Sequence, residues 1–146
     1  MKNLRLSIIA IALFVFAGAA VAGKGGPIIT GYWEGTGQAM YVDGTVANIK
    51  SVIADLYQEG NFIYGVAQFE VTVGDNPEPM IQVGQMSGHI SGNAITGVLG
   101  GCITTAPDCV GAGIFEGKLS GNKLRGTVVD LSDGSTSAVT LYRLSK

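Results

Sequence analysis

The chain has 146 residues, with nine Lys and Arg against eleven Asp and Glu, 47% hydrophobic residues, 23 glycines and two cysteines. That length suits one ordinary domain, and a mildly acidic chain without a basic run argues against nucleic acid as a partner. The glycines have no period of three and are interleaved with Val, Ile, Tyr and Phe, which excludes collagen-like and disordered classes.

The first segment differs from the rest. Met1-Lys2-Asn3-Leu4-Arg5 is a short cationic start, and Ile8 to Ala22 is a run of apolar or small residues ending Ala20-Val21-Ala22. This pattern predicts a secretory signal peptide over residues 1–22, cleaved between Ala22 and Gly23. The run is shorter than the ~20 residues a membrane-spanning helix needs, and no Cys follows it directly to carry a lipid. The expected location is therefore periplasmic or secreted. Beyond residue 22 the balance is seven basic to eleven acidic residues, a net charge of about −4. Residues 23–30 read as an N-terminal linker and 31–146 as a single domain.

Eight alternating runs follow, at about 31–42, 46–57, 62–73, 80–91, 94–100, 110–120, 123–131 and 136–145. Their connections carry turn residues: Asp43-Gly44, Glu59-Gly60-Asn61, Gly92-Asn93, Gly121-Asn122 and Asp133-Gly134. Asp75-Asn76-Pro77-Glu78-Pro79 reads as a loop, because prolines do not sit in a strand interior. The second run has a helical alternative, since Val46, Ile49, Ile53 and Tyr57 also line one face of a helix; it is read as strand. Gly88 to Gly97 and Gly117 to Gly126 share the pattern Gly-x-(Ile/Leu)-Ser-Gly-Asn-x-(Ile/Leu)-x-Gly, 29 residues apart. Each reads as a hairpin whose Gly-Asn pair supplies positive φ angles to a tight turn. A calcium-binding repeat is the competing reading, disfavoured because the repeated positions hold no Asp.

Cys102 and Cys109 bracket six residues between the fifth and sixth runs. In an exported chain two cysteines so close most simply form a disulfide, whereas a metal site needs more ligands than two thiols and one distant His. Closing so short a loop stabilises by roughly 2–3 kcal/mol in the loop-entropy account.

Eight strands joined mainly by tight turns predict an all-β fold, an antiparallel up-and-down eight-stranded β-barrel, with a two-sheet β-sandwich as the alternative. The first strand opens Gly31-Tyr32-Trp33 and the last ends Leu141-Tyr142-Arg143-Leu144. This resembles the calycin pattern of lipocalins and avidins, in which a Gly-x-Trp on the first strand meets a basic side chain of the last across the closed end of the barrel. The resemblance implies that Trp33 plugs the floor and that Arg143 lies against its ring, gaining cation–π energy of ~1 kcal/mol.

With Trp33 inward, alternation turns Gly35, Gly37, Ala39 and Tyr41 inward too. Phe69, on one face with Ile63, Gly65 and Ala67, and Phe115, between Gly113 and Gly117, supply walls. Trp33, Tyr41, Phe69 and Phe115 are thus the candidate ligand-binding residues. The strand glycines have two readings, free volume for a small apolar ligand or strands that bend sharply around a packed interior.

Catalytic signals are few. His89, the single His, has Ser87 and Ser91 beside it, but no nucleophile-elbow sequence is present. Glu34, Asp55, Glu70, Glu116 and Asp130 are scattered over different strands. No phosphate loop, cofactor motif or metal-ligand spacing stands out, and no cofactor is expected. Three functions fit: an exported barrel binding a small apolar ligand, which is preferred; a cofactor-independent barrel enzyme of the cyclase or isomerase kind; and a structural or adhesive surface protein with a solid barrel. Apolar residues on both faces of runs such as Ile63-Tyr64-Gly65-Val66-Ala67 admit a homo-oligomer. Stable membrane insertion as a barrel is not expected, since Lys123-Leu124-Arg125 and Asp130 put charge on both faces of one strand and the chain ends Ser145-Lys146.

Overall fold

Alternation leaves every run with one apolar face to bury, and eight such runs bury it by closing on themselves. The computed structural model describes residues 26–74, 78–102 and 112–145. Its strands are β1 (Gly31–Met40), β2 (Val46–Glu59), β3 (Phe62–Val73), β4 (Met80–Ser91), β5 (Ala94–Cys102), β6 (Ala112–Ser120), β7 (Lys123–Asp130) and β8 (Thr136–Ser145). They form a closed barrel in sequence order, each antiparallel to the next, with β8 returning to β1. No edge strand is left among them, which removes the two-sheet sandwich from consideration. The signal-peptide reading of residues 1–22 and the proposed Cys102–Cys109 disulfide lie outside the described residues.

The helical alternative for the second run is not realised: Val46–Glu59 pairs along its length with both neighbours. Its alternation is interrupted once, where the register shifts between Ile49 and Ser51. Lys50 is the extra residue of this bulge, so the inward set passes from Ala47 and Ile49 to Val52, Ala54 and Leu56. The first strand ends at Met40 rather than residue 42. Tyr41 and Val42 belong to a turn instead, in which Tyr41 N donates to Thr45 O at 2.9 Å and Gly44 N to Tyr41 O at 3.0 Å. Asp43 Oδ1 holds that turn by accepting from Thr45 N at 2.8 Å.

Three two-residue hairpins close the Trp33 end, and all read Gly-Asn: Gly60-Asn61, Gly92-Asn93 and Gly121-Asn122. Only the glycines have positive φ, at 61°, 59° and 59°; the asparagines do not, contrary to the expectation that both residues supply it. Gly at the first central position is the pattern of a type II′ turn, which needs one positive φ rather than two. Each Asn then has a second task. The carbonyls of Asn61, Asn93 and Asn122 accept from Ile90 N, Leu119 N and Arg143 N at 2.8, 2.8 and 2.9 Å, so each turn is tied to the hairpin or strand that follows.

The core is the inward face of all eight strands, from Trp33, Leu56 and Ile63 through Met86, Ile90 and Ile95 to Phe115, Leu119, Leu124, Val139 and Leu141. Two inward glycines explain how so small a barrel accommodates an aromatic ring. The Phe115 ring lies over Gly117 and Gly126, and a Cβ at either would come to 2.9 or 2.6 Å from its Cζ. A barrel of this strand number is just wide enough for side chains to fill, and here a ring fills the space that its neighbours vacate.

Candidate functional site

The two ends of the barrel are built differently. At the closed end Trp33 is fully buried, and its Nε1 donates to Ile29 O at 2.8 Å. Ile29, within the segment read from sequence as a linker, is itself fully buried. Its N–H donates to Gln58 Oε1 at 2.9 Å, while Gln58 N donates to Thr30 Oγ1 at 3.0 Å. Residues 28–30 thereby form a strap across the floor. Beneath it the Arg143 guanidinium sits 4.7 Å from the centre of the Trp33 ring, and one of its terminal nitrogens donates to Ile28 O. Burial pushes the Arg143 pKa down, and its Nε has no hydrogen-bond partner among the described residues. The cation is thus spent on the ring and one carbonyl, which suits a plug and not an anion site.

The middle of the barrel is filled. Between Val52, Leu56, Phe69, Met86, Phe115 and Leu141 only about 20 Å³ is free, room for about one water and without polar groups to hold it.

The opposite end opens to solvent as a cup of about 110 Å³. Ala39, Phe69, Val71, Leu99 and Val128 form its apolar wall; Tyr41, Gln82, Asp130, Asp133, Ser135 and Ser137 join them. The turn between β7 and β8 shapes the rim. Asp130 Oδ1 accepts from Ser132 N at 2.8 Å, and Asp133 Oδ1 accepts from Ser135 N at 2.8 Å. The bonds from Ser135 hold the Asp133 carboxyl below the usual carboxylate range. Burial, followed by the nearby charges of Asp133, Asp130 and Asp43, pushes the Tyr41 hydroxyl above its ordinary value of 10.0. Tyr41 is therefore a neutral phenol facing several carboxylates at neutral pH.

Of the four residues proposed from sequence to touch a ligand, Tyr41 and Phe69 meet in the cup. Phe115 borders only the small void below, and Trp33 lines neither space. Asp130 was visible as a scattered carboxylate, whereas Asp133, Ser135 and Ser137 were not singled out. Asp133 and Ser135 carry only the signal of the turn Leu131-Ser132-Asp133-Gly134-Ser135, whose position at a barrel mouth depends on closure, and Ser137 on β8 carries none. His89 points outward, with its ring edge-on to Phe62 at 5.6 Å in an exposed cluster with Tyr57 and Tyr64. Tyr57 and Tyr64 donate their hydroxyls to Asp55 and Glu59 at 2.9 Å each. No group of three or more metal-ligating side chains is found among the described residues.

No protein-family model and no curated protein matches this chain. Among solved structures it is similar to the isotype 1 transferrin binding protein B from serogroup B Neisseria meningitidis, at 14% identity and a TM-score of 0.41, over 88% of this chain and 27% of that one. Fold and site together define a closed eight-stranded up-and-down barrel, sealed at one end and open at the other as a shallow cup.

Proposed function

We propose that the chain is an exported, calycin-like binding barrel that takes a small apolar group into its mouth. The observation that carries this reading is the 110 Å³ cup, walled by Phe69, Val71, Leu99 and Val128 and open at the end opposite the Trp33 plug. Its size sets the cargo. An engineered cavity of about 150 Å³ holds a benzene ring, so this cup suits a branched alkyl group or a ring edge. Larger ligands would insert a tip and leave the remainder outside.

The amino-terminal pattern supports export, and the charged outward residues Glu34, Asp55, Glu70, Glu116 and Arg125 around an apolar interior support a barrel that stays in water. The cup's polar side chains, Tyr41, Gln82, Asp130, Asp133, Ser135 and Ser137, come from its rim and include no buried pair of converging groups among the described residues, which favours binding over a cyclase or isomerase.

The test is a methyl-resolved NMR titration with 3-methylbutanol. Saturable shifts at the Val71, Leu99 and Val128 methyls, absent from outward-facing Val98 and Ile114, are expected. No saturable response up to millimolar alcohol would remove the binding reading and leave a solid structural barrel.

A further inference from the structure

We infer that the cup selects organic cations, taking an alkylammonium with a short branched tail in preference to the matching alcohol or carboxylate. The inference rests on the binding reading above and assigns its ligand class. In the cup's lining the only charged side chains among the described residues are Asp130 and Asp133. A neutral apolar ligand gains nothing from them, and an anion is repelled. A cation that seats its tail on Phe69, Val71 and Val128 brings its ammonium to the carboxylates and to the face or hydroxyl of Tyr41, a site that complements both halves of the molecule.

The charge distribution of the whole barrel points the same way. The turn between β1 and β2 adds Asp43 to the mouth end, and neither of the described turns there, residues 41–45 and 131–135, contains Lys or Arg. Four of the five described bases lie toward the other end: Lys118 and Lys123 flank the Gly121-Asn122 turn, Arg125 pairs across from Lys118, and Arg143 lies under the floor, while Lys50 is exposed on the mouth half of β2. Asp43, Asp130 and Asp133 around a low-dielectric concavity outnumber Lys50, the one described base in the mouth half, and so focus a negative potential on the opening and raise the local concentration of cations. The carboxylates are also positioned beforehand, because Asp130 and Asp133 each commit Oδ1 to the backbone of their own turn. Little side-chain ordering remains to be done when the ligand arrives.

The experiment compares 3-methylbutylammonium, 3-methylbutanol and 3-methylbutanoate on the full chain, read at the Val71, Leu99 and Val128 methyls. The ammonium should bind roughly fivefold or more tighter than the alcohol in low salt, an advantage that shrinks at ionic strengths where the Debye length falls to a few Å. The carboxylate should bind weakest. In D130N/D133N, whose Asn side chains retain the Oδ1 acceptors of the turn, the preference should vanish while alcohol binding persists. Equal binding of alcohol and ammonium, a preference insensitive to salt, or a preference surviving in D130N/D133N would each overturn the assignment and leave the apolar cup standing. Failure of the alcohol and the ammonium alike to shift the cup methyls would overturn the binding reading itself.

Discussion

Replacing Trp33 by Ala tests the construction of the closed end most directly. The side chain is fully buried, and truncating a buried Trp costs about 3–5 kcal/mol from lost transfer energy and the cavity left behind. The Nε1 donor to Ile29 O also disappears, and a buried carbonyl left without a partner costs about 1–3 kcal/mol more. The Arg143 guanidinium loses the ring 4.7 Å beneath it, a contact worth about 0.5–2 kcal/mol. Against a total stability of about 5–15 kcal/mol, Trp33→Ala should leave the protein barely folded. Trp33→Phe separates the contributions, because it keeps an aromatic face for Arg143 and removes the hydrogen bond; its expected cost is about 1–3 kcal/mol. Urea denaturation followed by far-UV circular dichroism suits both variants, since Trp33 is the single Trp and its fluorescence is lost in each. A loss below about 1 kcal/mol for Trp33→Ala would refute the plug, because no relaxation of the floor recovers a full indole, a hydrogen bond and a cation contact together.

The ring-over-glycine packing predicts that Gly126→Ala destabilises by about 1–3 kcal/mol, the cost of overpacking a filled core. Phe115→Leu in the same chain should recover part of that loss, and a strictly additive double variant would show that ring and methyl do not meet. For acid stability the sign follows from the rim turns. Hydrogen bonds from Thr45 and Ser135 lower the carboxyl pKa values of Asp43 and Asp133 below 3.8. Their contribution to stability is therefore complete above pH 3.8, the unperturbed value, and disappears as pH falls through the lower folded-state values. Carboxyl-detected NMR titration should give midpoints below 3.8 for both groups; midpoints at or above it would mean that the turns do not hold their carboxylates as described.

The strand pattern was legible because each run needs one apolar face, and period-two alternation expresses that need residue by residue. Gly-Asn and Asp-Gly marked most of the reversals for the same reason, since a tight hairpin demands positive φ that Gly adopts freely. The bulge at Lys50 was not legible. One inserted residue shifts the strand's parity partway along, so the inward set reads Ala47, Ile49, Val52, Ala54, Leu56 rather than a clean alternation, whereas the helix-spaced Val46, Ile49, Ile53 and Tyr57 do not share a face. The state of the interior was equally hidden. Gly117 and Gly126 announce missing volume, but which side chain occupies it depends on how Phe115 packs across two strands. The cup joins residues from β1 to β8 that approach only on closure, so Tyr41 and Phe69 were named without Asp133, their neighbour across the mouth.

The seam between β1 and β8 sets when this molecule becomes a barrel. Trp33 pairs with Arg143 and Gln38 with Ala138, partners separated by about a hundred residues. Until β8 is in hand, a chain growing from its amino terminus exposes two open edges, at β1 and at its most recent strand, each able to pair with another copy. The floor is likewise unfinished, because its strap, its indole and its guanidinium come from opposite ends of the domain. Closure therefore waits on β8, which seals the base and completes the mouth together, and a chain without β8 keeps the open edges of β1 and β7 that favour aggregation.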